Sequence, residues 1–289
     1  SPHTPRGARM LLCRVVRPPL SLWCPAAALS LHMAAATSTA TTLPFRGAHL
    51  PVTFDTPECE ERWPVVLQSV NFQAWLDKME KTPFSMHSLR LQSVDMFGSR
   101  LGFVKFQADV RRPDGSPIPG IVFLRGGSVV ILVILECEGK EYALTTVQAR
   151  IPVGQASSVE IPAGMLDQSG NFSGVAAHEM EEETGLIIHQ DELVDLTLLA
   201  YGDQEGEDPV VYPSMGGCDE FQRFFLFRKQ VTAQELADME GRMHGCEGEH
   251  EQISLKLVPY ENLWRETRAL GAHGCILLYE KLRAEGKLP

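Results

Sequence analysis

The chain has 289 residues and a formal charge of −11 at pH 7, from 26 basic and 37 acidic side chains. Its composition, with 44% hydrophobic and 22% charged residues, excludes fibrous and low-complexity proteins. The negative charge argues against a nucleic-acid partner, and the longest apolar run, residues 129–135, is far shorter than the roughly 20 residues of a membrane span, so no membrane partner is expected.

The first 54 residues differ in composition from the rest of the chain. They contain no Asp or Glu, and residues 26–42 are nearly all Ala, Ser, Thr and Leu. The basic residues of this segment are Arg6, Arg9, Arg14, Arg17 and Arg46. An Arg-rich, acid-free and hydroxyl-rich composition is typical of an organelle transit peptide, so we predict a disordered leader over 1–54. A secretory signal and a disordered or mistranslated extension are the alternatives.

Residues 55–125 predict a helix followed by a β hairpin module. Apolar positions in 63–81 recur at helical spacing, and Pro83 ends the pattern. Residues 89–110 alternate between apolar and polar, the Pro- and Gly-containing turn 113–117 reverses the chain, and 118–125 returns it. We therefore predict a small antiparallel module before the main domain.

Residues 126–289 predict a mixed sheet covered by helices. A second hairpin, 129–137 and 142–150, begins with a continuous apolar strand that should be buried on both faces. Strands are predicted at 157–161, 193–200, 221–227 and 252–258, and helices at 173–184, 231–243, 260–270 and 275–285. Because strands and helices do not alternate regularly, the fold class is α+β rather than a doubly wound parallel sheet.

The helix over 173–184 carries the informative chemistry. Glu179, Glu182 and Glu183 are spaced i, i+3 and i+4, which places the three carboxylates on one helix face. Ser173 is the predicted N-cap, and Gly185 the residue that ends the helix. Crowded carboxylates repel one another unless a hard divalent cation lies among them, which indicates a site for Mg²⁺ with Mn²⁺ as a substitute. A solvated acidic face is the alternative, but the Gly-rich loop before the helix favours a metal site.

This segment resembles the box of the Nudix hydrolase family, G-x5-E-x7-R-E-U-x-E-E-x-G-U, where U is a bulky aliphatic residue. The matching positions are Gly164, Glu179, Met180, Glu182, Glu183, Gly185 and Leu186. Two positions depart from the box: His178 stands where the family has Arg, and Gly170 where it has the first Glu. In the family that Arg orients a neighbouring carboxylate, a contact that the shorter imidazole of His178 would have to make instead.

The resemblance extends over residues 85–285. Residues 148–154 and 160–164 are similar to the Q-x-R-x-P-x-G and E-(I/L)-P-A-G segments of the nucleoside-diphosphate-sugar branch, and residues 212–220 to the P-S-x-G-G-x-x-E loop of ADP-sugar diphosphatases. With the leader, these segments are most similar to the plastid-type plant enzymes. The resemblance implies an α/β/α sandwich over 126–289 and a chloroplast location, with the mitochondrion or cytoplasm as alternatives.

The resemblance also implies roles for individual residues. Metal ligands would be the Ala163 carbonyl and the carboxylates of Glu179, Glu182, Glu183 and Glu251. Catalytic residues would be Glu182, Glu183, Glu249 and Glu251. Substrate-binding residues would be Arg150, Glu160, Ser214, Gly216, Gly217 and Glu220. Two alternatives stay open, because Arg150 could instead pair with Glu160, and Glu249 and Glu251 could lie in a merely solvated loop.

The activity that the resemblance implies is Mg²⁺-dependent hydrolysis of ADP-glucose or ADP-ribose, small-molecule nucleotide sugars, to AMP and a sugar 1-phosphate. The alternative is a catalytically weak module that binds a nucleotide sugar as a sensor, which the departures at His178 and Gly170 keep open. The family further implies a homodimer formed through the hairpin module of residues 85–125.

Overall fold

The computed structural model describes residues 41–166, 171–202, 204, 208–245 and 252–289. Its N-terminal part is a six-stranded sheet with two helices. The strands are β1 (Thr42–Phe45), β2 (Ala48–Phe54), β3 (Ser85–Phe97), β4 (Arg100–Arg111), β5 (Pro117–Ile118) and β6 (Ile121–Leu124). The helices, α1 (Pro57–Gln68) and α2 (Val70–Glu80), connect β2 to β3. The strand order is β1-β2-β3-β4-β5 with β6 also beside β4, and only β2 and β3 run parallel.

Two helices replace the single helix predicted over 63–81. Ser69 separates them, because its backbone N–H donates to the Val66 carbonyl at the end of α1 and its hydroxyl accepts from the Phe72 N–H at the start of α2. An aromatic core joins these helices to the sheet: the ring centroids of Trp63 and Phe72 are 5.5 Å apart, and those of Phe72 and Phe106 5.6 Å apart.

The structure corrects the predicted leader boundary at residue 54. Strands β1 and β2 lie within the predicted leader and contribute buried apolar side chains to the N-terminal core, namely Leu43, Phe45, Leu50 and Val52. Arg46, in the turn between these strands, donates to the carbonyls of Met79, Glu80, Thr82 and Phe84 and so covers the C-terminal end of α2. The folded chain therefore begins on the N-terminal side of Thr42. Residues 1–40 lie outside the described ranges, and the leader stays a prediction.

The second part of the chain is an eight-stranded sheet between helices. Its strands are β7 (Ser128–Cys137), β8 (Lys140–Arg150), β9 (Gln155–Glu160), β10 (Ala163–Met165), β11 (Val194–Asp195), β12 (Gln222–Gln230), β13 (Met243–His244) and β14 (Ile253–Pro259). Its helices are α3 (Phe172–Thr184), α4 (Leu196–Tyr201), α5 (Ala233–Met239), α6 (Leu263–Glu266) and α7 (Leu270–Ala284). The order is β11-β12-β7-β8-β14-β13, with β10 on β7, β9 on β8 and β12 parallel to β7.

Strand β7 is buried on both faces, as its apolar run predicts. Val129 and Ile131 face a core formed with α3 and α5, whereas Val130 and Leu132 face a core formed with α4, α6 and α7. Both sides of the sheet are thus covered by helices, which confirms the α+β class and the mixed-sheet α/β/α sandwich. No helix in the described ranges is long and apolar enough to cross a membrane.

The strand predicted over 193–200 is wrong. Only β11 is extended there, and the chain then turns into α4. Asp195 causes the change, because its carboxylate accepts from the Leu198 N–H at 2.8 Å and from the Thr197 hydroxyl at 2.7 Å, which caps the helix. A short apolar run fits either structure, and the capping side chain decides between them.

Candidate active site

Helix α3 is fixed at both ends. The Asn171 side chain caps its start by accepting from the Gly174 N–H at 3.0 Å, so Ser173 is not the N-cap. Gly185 ends the helix in the left-handed conformation with φ of 70°, as predicted. Val175 and Met180 are buried against the sheet. The helix is thereby held in one rotational setting above β10.

Glu179 and Glu183 converge on the same two residues of β10. A Cβ at Gly164 would lie 1.7 Å from the Glu179 Cδ, so the Glu179 carboxylate occupies the space that a side chain at 164 would fill. The Glu183 side chain accepts a hydrogen bond from the Ala163 N–H at 3.1 Å, and Glu183 is only 5% exposed. Glycine at 164 is therefore required by close approach of a carboxylate, not by backbone conformation.

Glu182 does not join the other two carboxylates. Its Oε1 lies 3.4 Å from His178 Nε2, and the two side chains are 39% and 66% exposed. The position that carries Arg in the family box thus contacts Glu182, one helical turn away. Within the described ranges, no group of three or more His, Cys, Asp or Glu side chains is arranged to hold a metal ion. The structure therefore brings together two of the three predicted helix ligands.

The donor set at β10 suits a hard divalent cation. The Glu179 and Glu183 carboxylates lie against the backbone of Ala163 and Gly164, so the contact offers carboxylate and backbone carbonyl oxygens. Hard oxygen ligands of this kind are those that Mg²⁺ prefers. The residues present thus fit the predicted cation, which Glu179, Glu183 and the Ala163 carbonyl would hold.

Arg150 and Glu160 form a bidentate pair. Arg150 Nε donates to one Glu160 oxygen at 2.9 Å and Arg150 Nη2 to the other at 2.8 Å. The pair joins the neighbouring strands β8 and β9, and the Glu160 side chain is 14% exposed. Arg150 therefore pairs with Glu160, which was the alternative to a role in substrate binding. The bidentate geometry fixes the orientation of its guanidinium.

The predicted substrate loop, residues 212–220, lies along the N-terminal sheet. The Phe123 N–H donates to the Gly217 carbonyl at 2.8 Å, and the Asp219 carboxylate accepts from the backbone N–H groups of Arg125 at 2.6 Å and Gly126 at 3.2 Å. These bonds extend the edge beside β6. Asp219 has a positioning role that no motif in the sequence indicated.

Of the substrate-binding residues predicted in that loop, Glu220 contacts the start of β7. Glu220 Oε1 accepts from the Ser128 hydroxyl at 3.3 Å and lies 3.7 Å from Arg125 Nε. The Ser214 carbonyl accepts from the Cys218 N–H at 3.1 Å and closes the turn. Gly216 and Gly217 have open space where a Cβ would stand. Because β7 also pairs with β10, the loop and the two carboxylates lie on neighbouring segments.

Glu249 and Glu251 lie outside the described residues, as does Gly170. The described residues on either side of 246–251 adjoin α3: the Gly245 N–H donates to the Glu182 carbonyl at 3.3 Å, and His244 pairs with Ile253. A Cβ at Gly185 would lie 2.5 Å from the His244 ring. Burial in this contact, together with Arg242, lowers the pKa of His244.

Three features define the site: the mixed sheet between helices, the acidic helix α3, and Gly164, on which the Glu179 carboxylate packs. The NUDIX domain family model matches residues 124–277, more than half of the chain. The chain belongs to the Nudix hydrolase family.

The chain is similar to two curated Nudix hydrolases. The chain is 38% identical to Nudix hydrolase 14, chloroplastic, of Arabidopsis thaliana over 233 residues, which is 76% of this chain and 73% of that protein. It is 34% identical over 76 residues to an uncharacterized Nudix hydrolase of Schizosaccharomyces pombe, covering 26% of this chain and 35% of the relative. A crystal structure of an ADP compounds hydrolase superposes with a TM-score of 0.47 at 10% identity, over 72% of this chain and 98% of that one.

Proposed function

We propose that the chain hydrolyses the diphosphate of ADP-sugars in a Mg²⁺-dependent reaction. ADP-glucose would give AMP and glucose 1-phosphate, and ADP-ribose, whose second ribose is linked through its 5-oxygen, would give AMP and ribose 5-phosphate. The observation that carries the proposal is the convergence of Glu179 and Glu183 on Ala163 and Gly164. The similarity of residues 212–220 to the loop of ADP-sugar diphosphatases supports the substrate class.

The chain's own residues account for the steps around the diphosphate. A bound Mg²⁺ would neutralise the bridging region and lower the pKa of a water molecule. Glu183, buried and fixed by the Ala163 N–H, is held in one position before substrate arrives. Glu249 or Glu251 accepts the proton from the attacking water as the new P–O bond forms and the bridging P–O bond breaks. Arg150 and the 212–220 loop orient the substrate.

Location and assembly form part of the proposal. A chloroplast location is supported by the similarity to Nudix hydrolase 14, chloroplastic, of Arabidopsis thaliana and by the composition of the leader. A homodimer through the N-terminal sheet is supported by apolar side chains that this sheet leaves exposed, such as Phe97 at 43% and Ile121 at 56%. Light scattering of the purified chain measures its mass, and a monomer at micromolar concentration contradicts this part of the proposal.

The test is an assay of the purified full chain against a panel of sugar nucleotides. We expect AMP from ADP-glucose and ADP-ribose with Mg²⁺, no product with EDTA, and recovery with Mg²⁺ or Mn²⁺. Glu183→Gln should lower kcat by at least about 100-fold, whereas Glu181→Gln, an exposed position on the same helix, should behave as the wild type. Tight binding of ADP-glucose without turnover would establish the sensor alternative instead. Normal turnover by Glu183→Gln would remove the proposed role of this carboxylate.

A further inference from the structure

A polar and aromatic cluster lies where α2 of the N-terminal module contacts the chain before and after the substrate loop. Lys78 Nζ donates to the Tyr212 hydroxyl at 3.4 Å and lies 3.8 Å from Asp208 Oδ2. The same amine lies 5.7 Å from the ring centroids of both Tyr212 and Phe221. We call Lys78, Asp208, Tyr212 and Phe221 the Lys78 cluster. Only Tyr212 belongs to a segment with a recognisable motif, and Lys78, Asp208 and Phe221 lie outside that segment.

The Lys78 cluster adjoins the segment that holds the two carboxylates. A Cβ at Gly127 would lie 2.4 Å from the Phe221 ring and 2.6 Å from the Leu166 side chain, so these side chains meet over Gly127. The Leu166 N–H donates to the Gly127 carbonyl at 2.9 Å, and Leu166 follows β10 directly. Since Glu179 packs on Gly164 of β10, a continuous series of contacts runs from Lys78 through Phe221 and Leu166 to the strand that the carboxylate meets.

The groups in this cluster suit a neutral ring that carries several hydroxyls. The ammonium donates, the carboxylate accepts, and the Tyr212 hydroxyl does both, which matches the donors and acceptors of a sugar. The Asp208 carboxylate would repel a phosphate placed beside it. An adenine would need a flat ring face to stack on, and Lys78 lies over both aromatic rings.

The charged groups of the cluster can turn towards a ligand. The Lys78 and Asp208 side chains are 52% and 71% exposed, and an exposed ion pair at 3.8 Å contributes little to stability. Exchange of this contact for hydrogen bonds to sugar hydroxyls therefore costs little. We propose that Lys78, Asp208 and Tyr212 form the subsite for the sugar ring on the non-adenosine side of the diphosphate. This inference rests on the proposed ADP-sugar hydrolysis and assigns the sugar half of the substrate to α2.

The experiment compares Lys78→Gln and Asp208→Asn with Lys81→Gln in the full chain. Lys81 is an exposed lysine at the end of the same helix, so its substitution changes the net charge as Lys78→Gln does. We expect the first two variants to raise KM for ADP-glucose by about tenfold or more and to leave kcat within about twofold, because a hydrogen bond to a charged group is lost from substrate binding. The inhibition constant of the product glucose 1-phosphate should rise by the same factor, and that of AMP should stay unchanged. Lys81→Gln should match the wild type.

Three outcomes contradict the subsite. Unchanged KM and unchanged glucose 1-phosphate inhibition in both variants would remove it. An equal rise in the AMP inhibition constant would show that the cluster acts on the nucleotide half or on loop position. A loss of kcat with KM unchanged would show a role in the chemical step. Should Lys78→Gln unfold at a lower temperature than the wild type, the KM of the exposed Asp208→Asn variant tests the subsite instead. If the wild type hydrolyses no ADP-sugar, the proposed function fails, and calorimetric binding of glucose 1-phosphate to wild type and variants then tests the subsite separately.

Discussion

Replacement of Gly164 by alanine tests the packing of the Glu179 carboxylate directly. A Cβ at this position would lie 1.7, 1.9 and 2.2 Å from the Cδ, Oε1 and Oε2 atoms of Glu179, whereas ordinary contact begins at 3.4 Å. The Glu179 Cδ must therefore move by about 1.7 Å, from 1.7 Å to the 3.4 Å of an ordinary contact. A displacement of about 1 Å in a catalytic constellation costs about 100-fold in rate, so we expect Gly164→Ala to lower kcat by at least that factor, or about 2.7 kcal/mol in activation free energy.

The same substitution should leave the fold nearly intact. Gly164 does not have a left-handed φ, so its backbone accepts an alanine, and the group that must give way is the end of a flexible side chain. The free energy of unfolding should change by about 1 kcal/mol or less, which is the order of an off-rotamer side chain. Urea denaturation followed by circular dichroism measures this quantity, and steady-state assay with ADP-glucose measures kcat.

A double-mutant cycle with Glu179→Ala separates the steric argument from other effects. Removal of the Glu179 side chain takes away the three atoms nearest to a Cβ at Gly164, so the second substitution should have almost no further effect on kcat. Additive losses in Gly164→Ala and Glu179→Ala would refute the reasoning, as would wild-type turnover by Gly164→Ala alone.

Three further predictions concern the N-terminal module and the loop. Arg46→Ala removes the donors to four carbonyls at the end of α2 and should lower the free energy of unfolding by about 1–2 kcal/mol in urea, with Arg112→Ala as a matched control in a remote turn. A variant that begins at residue 55 loses four buried apolar side chains worth about 6–12 kcal/mol, comparable with the stability of a whole domain. It should therefore be unfolded by circular dichroism, whereas one beginning at residue 41 should fold. Asp219→Asn weakens the acceptor for two backbone N–H groups and should raise KM about tenfold with a small change in melting temperature, and an unchanged KM would contradict its positioning role.

Local patterns predicted those elements in which one physical signal dominates. The run of β7 is apolar at every position that two helical layers must cover, so two-sided burial followed from the sequence. The end of α3 followed from a glycine placed after an acidic turn. By contrast, β1 and β2 carry Thr, Ala and His on exposed positions, and Arg46 lies in the turn between them, so leader-like composition alone placed both strands in the wrong segment. In both strands, buried apolar residues alternate with exposed ones: Leu43 and Phe45 in β1, and Leu50 and Val52 in β2. This period of two was the signal that could have predicted the strands.

Helix geometry predicted which side chains share a face but not what each side chain meets. Glu179 and Glu183, four residues apart, both reach β10, whereas Glu182 is four residues from His178 and contacts that ring instead. The number of helix carboxylates that converge therefore depends on the strand opposite, which lies outside the helix sequence. The same holds for Arg150, whose partner Glu160 is set by the pairing of β8 with β9.

The contribution of the N-terminal module to the candidate site has a further physical basis. Asp219 caps the backbone at Arg125 and Gly126, Phe123 holds Gly217, and Lys78 contacts Tyr212, so the module touches the loop in three places. Each contact joins residues about a hundred positions apart, beyond the reach of any local pattern. The geometry of the loop that carries Glu220 therefore depends on the N-terminal sheet, which has its own hydrophobic core. Substitutions in α2 or β6 should then change substrate binding while Glu179 and Glu183 keep their contacts with β10.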